Sequence, residues 1–213
     1  MRQLLGILIL CLLFACTSNK IKTLPIYGDR EPITKITDGK EVTDTLYHTI
    51  PAFAFVNQYG DSITNDSLNG KIYVADFFFT TCPSICPSMH RNMLKVYKEF
   101  EGATDFRILS HSIDPKYDSV QVLKKYADAL DVKGNTWWLL QGDKEATYTL
   151  SKSYLVTTPR EDEKEKFIHD GYFILIDKQK RIRGAYDGTV EEQVIKLIED
   201  IKILRNDPEQ ATK

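Results

Sequence analysis

The stretch that decides the fold is ADFFFTTCPSICPSMH, from Ala75 to His90. It begins inside an apolar run, Ile72 to Phe79, and such a continuous run is typical of a central strand covered on both faces. Cys82 and Cys86 follow two threonines. From Ser84 to Phe100, apolar residues recur at spacings of three and four, which predicts a helix. The two thiols therefore lie where a buried strand leads into a helix.

Two cysteines at this junction favour reactive chemistry. Residues four apart on a helix are ~6 Å apart between Cα atoms, a separation that permits a disulfide or joint binding of a soft metal ion. The positive end of the helix dipole favours thiolate, and a pKa lowered by two units raises the ionised fraction at pH 7 from ~3% to ~75%. We predict that Cys82 and Cys86 form a redox-active dithiol or a pair of metal ligands. The alternative is a static disulfide or two buried thiols, but so short a closed loop would add little stability.

Length and composition exclude several classes of protein. A chain of 213 residues accommodates one ordinary domain and a tail. The net charge of −2 and the lack of a Lys/Arg block argue against a nucleic-acid-binding protein. Four cysteines are too few for a disulfide-stapled scaffold. Two of them, Cys11 and Cys16, lie in the first sixteen residues, outside the predicted domain.

The N-terminus predicts export and a lipid anchor. An arginine precedes the apolar run Leu4 to Phe14, which is too short to span a bilayer and is typical of a signal peptide. The run ends in LFAC, which resembles the bacterial lipobox, so Cys16 is the predicted lipid attachment site. The alternative is a plain signal peptide cleaved near Ala15. Either way we expect the chain at the extracytoplasmic face of the cell envelope, where thiols tend to oxidise. Besides Cys16 it would retain only Cys82 and Cys86, which suits a pair that cycles or binds metal.

The remaining chain reads as one α/β domain on a tether. We predict a lipoprotein signal peptide at 1–15, a polar membrane tether at 16–47, a domain at 48–205 and a frayed tail at 206–213. Strands that alternate with helices, followed by a closing hairpin and helix, predict a sandwich with a mixed sheet. The predicted strands are Ile50–Val56, Ser62–Thr64, Lys71–Phe79, Phe106–Ile113, Trp137–Leu140, Gly171–Asp177 and Arg181–Tyr186. The predicted helices are Ser84–Phe100, Ser119–Leu130, Lys144–Tyr154 with Asp143 as its N-cap, and Val190–Leu204.

A metal site would need more than two sulfurs, and the chain has four histidines. His48 lies at the tether boundary, His90 on the first helix, His111 inside a strand, and His169 between a charged loop and a hairpin strand. Each could equally be a surface or hydrogen-bonded histidine. His169 is favoured because a loop-end side chain can approach a helix N-terminus. Two thiolates and an imidazole suit Cu(I), or tetragonal Cu(II), whereas zinc usually takes a fourth protein ligand.

These features together resemble the Sco/SenC family. The resemblance rests on Cys-x-x-x-Cys-Pro after an apolar strand, on Ser112-Ile113-Asp114-Pro115 in the next strand and on a histidine before a hairpin, and it covers roughly Thr49 to Leu204. It implies a thioredoxin-like three-layer sandwich with an N-terminal hairpin extension, membrane anchoring, and copper held by Cys82, Cys86 and His169. It also implies a partner, the CuA subunit of cytochrome c oxidase or another copper protein, and we expect a monomer.

Two acidic residues are predicted to support the site. Asp76 precedes Cys82 by six residues, as does the buried aspartate of thioredoxins, and would handle protons for the dithiol; a hydrogen-bonding role at a strand edge is the alternative. Asp114 would shape the adjacent loop. The family pattern does not require His90 or His111.

The alternative function is that of a thiol–disulfide oxidoreductase that keeps partner cysteines reduced. Metal binding needs His169, whereas thiol exchange needs only the dithiol. A peroxide-reducing relative is disfavoured because Pro-x-x-x-Thr-x-x-Cys is absent from the sequence.

Overall fold

The computed structural model of the protein describes residues 23–156 and 171–210. These residues form nine strands and four α-helices. The strands are β1 Arg30–Thr37, β2 Lys40–Tyr47, β3 Ala54–Asn57, β4 Ser62–Thr64, β5 Ile72–Phe78, β6 Phe106–Ser112, β7 Trp137–Gln141, β8 Tyr172–Ile176 and β9 Ile182–Asp187. The helices are α1 Cys86–Phe100, α2 Val120–Ala129, α3 Lys144–Ser153 and α4 Glu191–Arg205.

Seven of the strands form one mixed sheet in the order β4-β3-β7-β6-β5-β8-β9. The pairs β5–β6 and β6–β7 are parallel, and the other pairs are antiparallel. All seven residues of β5 are buried, as expected for a central strand with helices over both faces. The carboxyl end of β5, from which the chain runs to the two cysteines, is therefore at the middle of the sheet.

Successive side chains of the central strands point to opposite helical layers. Asp76 of β5 faces α1, and its Oδ2 lies 3.5 Å from Nε2 of His90. The next residue, Phe77, points the other way, stacks on its register partner His111 and contacts Tyr154, the C-cap of α3. Because α1 and α3 cover opposite faces, the sheet separates His111 from α1.

The predicted elements within the described ranges are present, with shifted ends. The strand predicted at Ile50–Val56 corresponds to β3, which begins at Ala54. It begins later because the N–H of Ile50 donates to the carbonyl of Lys180 and the N–H of Phe53 donates to the side chain of Asn65. The predicted N-cap Asp143 is confirmed, since its carboxylate accepts the N–H of Ala146 at 2.9 Å.

The N-terminal hairpin extension is confirmed. It consists of β1 and β2, which form a separate two-stranded sheet with almost every residue exposed. The hairpin lies within the range predicted as a polar tether. Its side chains bury little, so no alternation of apolar and polar residues marked it in the sequence.

A segment before the hairpin contacts the main sheet directly. The buried guanidinium of Arg183 on β9 donates to the carbonyl oxygens of Leu24 and Pro25, at 2.7 and 3.0 Å. The N–H of Tyr27 donates to the carbonyl of Ile182, which adds an isolated bridge at the edge of β9. The predicted bounds of the signal peptide, tether, domain and tail stay predictions. Residues 24–27 nevertheless contribute contacts that a chain beginning at residue 48 would lose.

The predicted frayed tail is wrong for residues 206–210. Pro208–Gln210 form a 3-10 helix, and Gln210 is buried. Its side-chain oxygen accepts the N–H of Lys178, and Glu209 pairs with Arg181 at 2.9 Å. These polar contacts with the β8–β9 turn hold the segment although it offers few apolar residues.

Candidate metal centre

Both cysteines lie at the start of α1. Cys86 is the first helical residue, and the N-cap residue Ile85 makes no side-chain capping bond. The sulfur of Cys82 instead accepts the backbone N–H of Cys86. Cys82 thus supplies an acceptor for the N–H of the first helical residue, one of the N-terminal donors that have no partner inside the helix. Both side chains are buried, and Cys82, at 7% exposed, is more accessible to solvent than Cys86, at 1%.

The two thiols differ in acidity. Burial raises the pKa of Cys82, but hydrogen bonds from the thiol and backbone N–H of Cys86 and from Ser84 outweigh burial, so the pKa lies below its ordinary value. Burial, the hydrogen bond to Cys82 and the charge of that neighbour raise the pKa of Cys86 far above its ordinary value. The pair therefore combines one thiolate-forming sulfur with one sulfur that retains its proton, which is the arrangement of a nucleophile and a resolving thiol.

Asp76 lies in a buried polar network beneath α1. Its Oδ1 accepts the hydroxyl of Ser110 at 2.5 Å, and that hydroxyl oxygen accepts the indole N–H of Trp137 at 2.8 Å. Nδ1 of His90 lies 2.8 Å from the hydroxyl of Tyr126. The charge of Asp76 contributes to the raised pKa of Cys86. Asp76 is thus near enough to influence the dithiol; its role as a proton carrier stays a prediction.

The described histidines have other surroundings. His48 Nε2 donates to the carbonyl of Ser153 at 2.7 Å. His111 lies among Phe53, Phe55 and Phe77, and neither ring nitrogen has a hydrogen-bond partner among the described residues. Burial lowers the pKa of His111 to about 3, so its imidazole is neutral at physiological pH. Its position on the α3 side of the sheet keeps it away from the two sulfurs.

His169 and Cys16 lie outside the described residues, and Gly171, two residues after His169, lies beside the start of α1. A Cβ placed on Gly171 would lie 3.2 Å from Cδ1 of Ile85 and 3.8 Å from Sδ of Met89. Gly171 has φ +63°, a left-handed conformation that favours glycine. Two residues span at most ~7 Å. His169 is therefore connected to a point directly beside the residue that precedes Cys86.

The described residues do not complete a metal site by themselves. Across 23–156 and 171–210, no group of three or more His, Cys, Asp or Glu side chains could hold a metal ion. Two adjacent sulfurs, one of them thiolate-forming, nevertheless fit a soft metal that accepts one further ligand. In the same ranges no helix has the length and apolar character needed to cross a membrane.

Asp114 and Asp118 lie in the loop between β6 and α2, and the supporting role of Asp114 stays a prediction. The backbone carbonyl of Asp114 accepts the N–H groups of Tyr117 and Asp118, which forms the turn after β6. Asp118 was not predicted, although it is fully buried and binds Thr80, two residues before Cys82. In the sequence, Asp118 is marked only by its position four residues after Asp114. Acidic residues at such a spacing are common in solvent-exposed loops, so the spacing did not indicate a buried carboxylate.

The asymmetry of the thiols predicts an order of reaction. In a reduced full chain carrying Cys11→Ser and Cys16→Ser, we expect iodoacetamide at pH 7 to modify Cys82 before Cys86, because only the Cys82 pKa is lowered. Mild oxidation should then leave neither sulfur modifiable. Peptide mass mapping measures both outcomes. Equal rates at the two sulfurs, or continued labelling after oxidation, would contradict the prediction.

A protein-family model and known proteins match this chain. The model described as SCO1/SenC matches residues 41–204. The SCO1 protein homolog of Bacillus subtilis is 30% identical over 167 residues, which are 77% of this chain and 86% of that protein.

Two solved structures are similar along most of their length. One is BsSco, described as having a disulfide switch and as a member of the Sco family of cytochrome c oxidase assembly proteins. It has 29% identity and a TM-score of 0.66, over 75% of this chain and 94% of BsSco. The other is a SCO1/SenC family lipoprotein from Bacillus anthracis, with 33% identity and a TM-score of 0.65, over 74% of this chain and 95% of that one. The predicted fold class is thereby confirmed.

Proposed function

Because the chain belongs to the SCO1/SenC family, we propose that it binds one copper ion through Cys82, Cys86 and His169 and assists assembly of the CuA centre of a cytochrome c oxidase. The observation that carries this proposal is the position of Gly171 against Ile85, since it connects His169 to the start of α1. Two thiolates and one imidazole form a soft three-ligand set that suits Cu(I). Copper is the cargo in this proposal, and the dithiol is its receptor.

The two sulfurs would contribute differently to copper capture. Cys82, with its lowered pKa, offers a thiolate at neutral pH, whereas Cys86 must lose a proton to become a ligand. Copper binding therefore releases protons, and its apparent affinity rises with pH. Both sulfurs are buried, but Cys82 is the more accessible of the two, which suits a site that receives and later transfers its ion through Cys82.

Copper titration of the full chain tests this function. One equivalent of Cu(II) added to the reduced chain with Cys11→Ser and Cys16→Ser should give a strong visible thiolate-to-copper charge-transfer band, and metal analysis should give one copper per chain. Cys82→Ser and Cys86→Ser variants should each lose that band. A parent chain that retains no copper after desalting would rule the copper function out.

The acidity difference favours a second candidate function, a thiol–disulfide oxidoreductase. The Cys82 thiolate would attack a partner disulfide and form a mixed disulfide with release of one partner thiolate. Cys86, after losing its proton to solvent, would attack Cys82 and release the second partner thiolate. The dithiol becomes a disulfide as the partner is reduced by two electrons. Reduction of a protein disulfide by a chain that binds no copper would select this function.

We also propose that the chain is held at the membrane through lipid on Cys16, at the extracytoplasmic face. The sequence LFAC behind an apolar run supports this, and each acyl CH₂ buried in a bilayer contributes ~0.8 kcal/mol to anchoring.

The anchor can be tested with a matched pair of cysteine variants. We expect Cys16→Ser to accumulate as uncleaved precursor without incorporated fatty acid, because the acceptor sulfur is absent. Cys11→Ser, five residues earlier, is the control and should be processed normally. Radiolabelled palmitate incorporation and gel mobility measure both. Normal processing and acylation of Cys16→Ser would disprove the attachment site.

A further inference from the structure

An open groove runs along α1 from its first turn. Its volume is about 550 Å³, and its second wall is formed by Thr189 and Glu191 where α4 begins. The α1 wall includes four side chains at spacings of three and four, which share one helix face: Ser88, Arg91, Lys95 and Lys98. Three of these four side chains are cations.

The positive charge of this groove is not balanced within the part of the chain that the structure describes. Lys95 pairs with Glu191 at 2.6 Å. Arg91 and Lys98 are exposed, and neither forms an ion pair within residues 23–156 and 171–210. On α4, by contrast, every cation pairs with a carboxylate: Lys196 with Asp200, Lys202 with Glu99 and Arg205 with Asp105. The groove therefore keeps an excess of positive charge that the neighbouring helix does not have.

The groove lies within the area that a protein partner of the dithiol has to cover. Such a partner must bring its own sulfur or copper ligand into contact with the sulfur of Cys82. An ordinary interface covers ~800 Å² on each protein, which is a patch of about 16 Å radius. At 1.5 Å per residue along a helix, Arg91 is ~8 Å and Lys95 ~14 Å from Cys86. Both cations are therefore inside the expected footprint, and Lys98 is at its rim.

The surface next to Cys82 has the character of an interface centre. Pro83 and Pro87 are exposed and Ile85 is half-buried, so uncharged and mostly apolar side chains surround the more accessible sulfur. Protein interfaces commonly combine an apolar centre with a charged rim. Here the rim on the α1 side is basic, and a complementary partner must be acidic there.

We propose that the α1 groove and the apolar surface around Cys82 dock the protein partner of the dithiol, and that this partner presents an acidic segment to Arg91, Lys95 and Lys98. The inference rests on the proposed function, because a copper acceptor and a disulfide substrate both have to reach Cys82. Opposite charges across an interface rim speed association and exclude wrong partners. A bilayer on this face is disfavoured, since it would cover Cys82 and block its partner.

Exchange with charged peptide disulfides tests the groove without copper and without the natural partner. The probes are two symmetric disulfides of a peptide whose cysteine is followed by glutamates or by lysines; five extended residues reach ~17 Å. Reduction of either probe yields the Cys82–Cys86 disulfide and two peptide thiols, which chromatography counts. In the full reduced chain with Cys11→Ser and Cys16→Ser, we expect the acidic probe to react about tenfold faster at low salt. Because both probes react with the same chain, the ionised fraction of Cys82 cancels in this ratio.

Charge reversal locates the preference on the groove. Arg91→Glu combined with Lys98→Glu should remove it, and 1 M salt should remove it from the parent, because the Debye length is then only ~3 Å. Lys40→Glu combined with Lys152→Glu makes the same charge change at exposed positions on the hairpin and on α3, and is the matched control that should keep the preference. Far-UV circular dichroism checks that both double variants are folded.

The inference is overturned if the parent reduces both probes at equal rates, or neither probe, or if the Arg91 and Lys98 reversal keeps the preference. Binding to vesicles that contain anionic lipid, lost on that reversal while the peptide preference survives, would assign the groove to the membrane and overturn it as well. Copper titration separates the proposed function from this result. A parent that binds no copper but prefers the acidic probe loses the copper function and keeps the docking surface.

Discussion

We expect His169→Ala to weaken copper binding by at least ~10–100-fold while the Cys82–Cys86 disulfide forms as readily as in the parent chain. Residues that only orient a metal ligand change affinity by that factor, so the loss of a direct ligand should cost at least as much. The two sulfurs are already in contact without His169, which is why disulfide formation should not need it. Competition with a Cu(I) chelator measures the affinity, and alkylation after oxidation measures the disulfide.

Variants of two other histidines are the controls, and the structure explains why each variant should still bind copper. His111 lies on the α3 side of the sheet among aromatic rings, so His111→Phe should fit its surroundings and retain binding. His90 lies on α1 with Nδ1 near the Tyr126 hydroxyl and Nε2 near Asp76, so His90→Gln should retain binding while altering that buried network. Far-UV circular dichroism confirms that each variant is folded.

One pattern of results would contradict the ligand assignment. If His169→Ala binds copper like the parent while His90→Gln loses it, the third ligand comes from α1, and the approach of Gly171 to Ile85 has no bearing on the metal. Loss of binding in all three variants would instead indicate a general effect on folding, which melting curves detect.

The strands and helices that surround the dithiol could be predicted because their residues are buried in regular patterns. The run from Ile72 to Phe79 is apolar except for Asp76, and the structure places its strand β5 inside the sheet, between β6 and β8. The β1–β2 hairpin left no such pattern, since its exposed strands pack on little. The two strands pair from Arg30 with Tyr47 to Thr37 with Lys40. Backbone hydrogen bonds set this register, and the periodicity of side chains in the sequence does not reveal it.

Contacts between residues far apart in sequence were the parts that could not be predicted. Asp118 binds Thr80, 38 residues away, and Arg183 binds the carbonyl of Leu24, 159 residues away. Both are charged residues, and from the sequence alone a charged residue is expected at the protein surface. The dithiol was predictable because its two members are close in sequence and share one helix end.

The contact between Arg183 and the N-terminal segment leads to the second large expected effect. A chain that begins at residue 48 should unfold with a free energy about 3 kcal/mol lower than a chain that begins at residue 23. Each hydrogen bond from a charged donor contributes ~1.5–3 kcal/mol, and burial of Leu24 adds ~1.5–3 kcal/mol, while water that reaches Arg183 after truncation restores part of the loss. For a chain of this size the melting temperature should fall by roughly 6–12 °C.

Deletion of the hairpin alone is the matched control. Replacing residues 31–46 with a short glycine-containing turn joins Arg30 to Tyr47, which are register partners, and leaves Leu24 and Pro25 in place. Because the hairpin is exposed, this deletion should cost less than about 1 kcal/mol. Equal melting of the chains that begin at residues 23 and 48 would contradict the prediction. An equal loss from the hairpin deletion would assign the stability to β1 and β2 instead.

This result also decides how the copper experiments must be designed. Arg183 lies on β9, which pairs with β8, and β8 begins one residue after Gly171. Gly171 is itself bonded to Gly188 through its carbonyl, at 2.8 Å. Loss of the N-terminal segment would therefore loosen the strands that hold Gly171 beside α1. A chain shortened to residue 48 should bind copper more weakly for a reason unrelated to its ligands, and only chains that retain residues 23–47 give a true measure of His169.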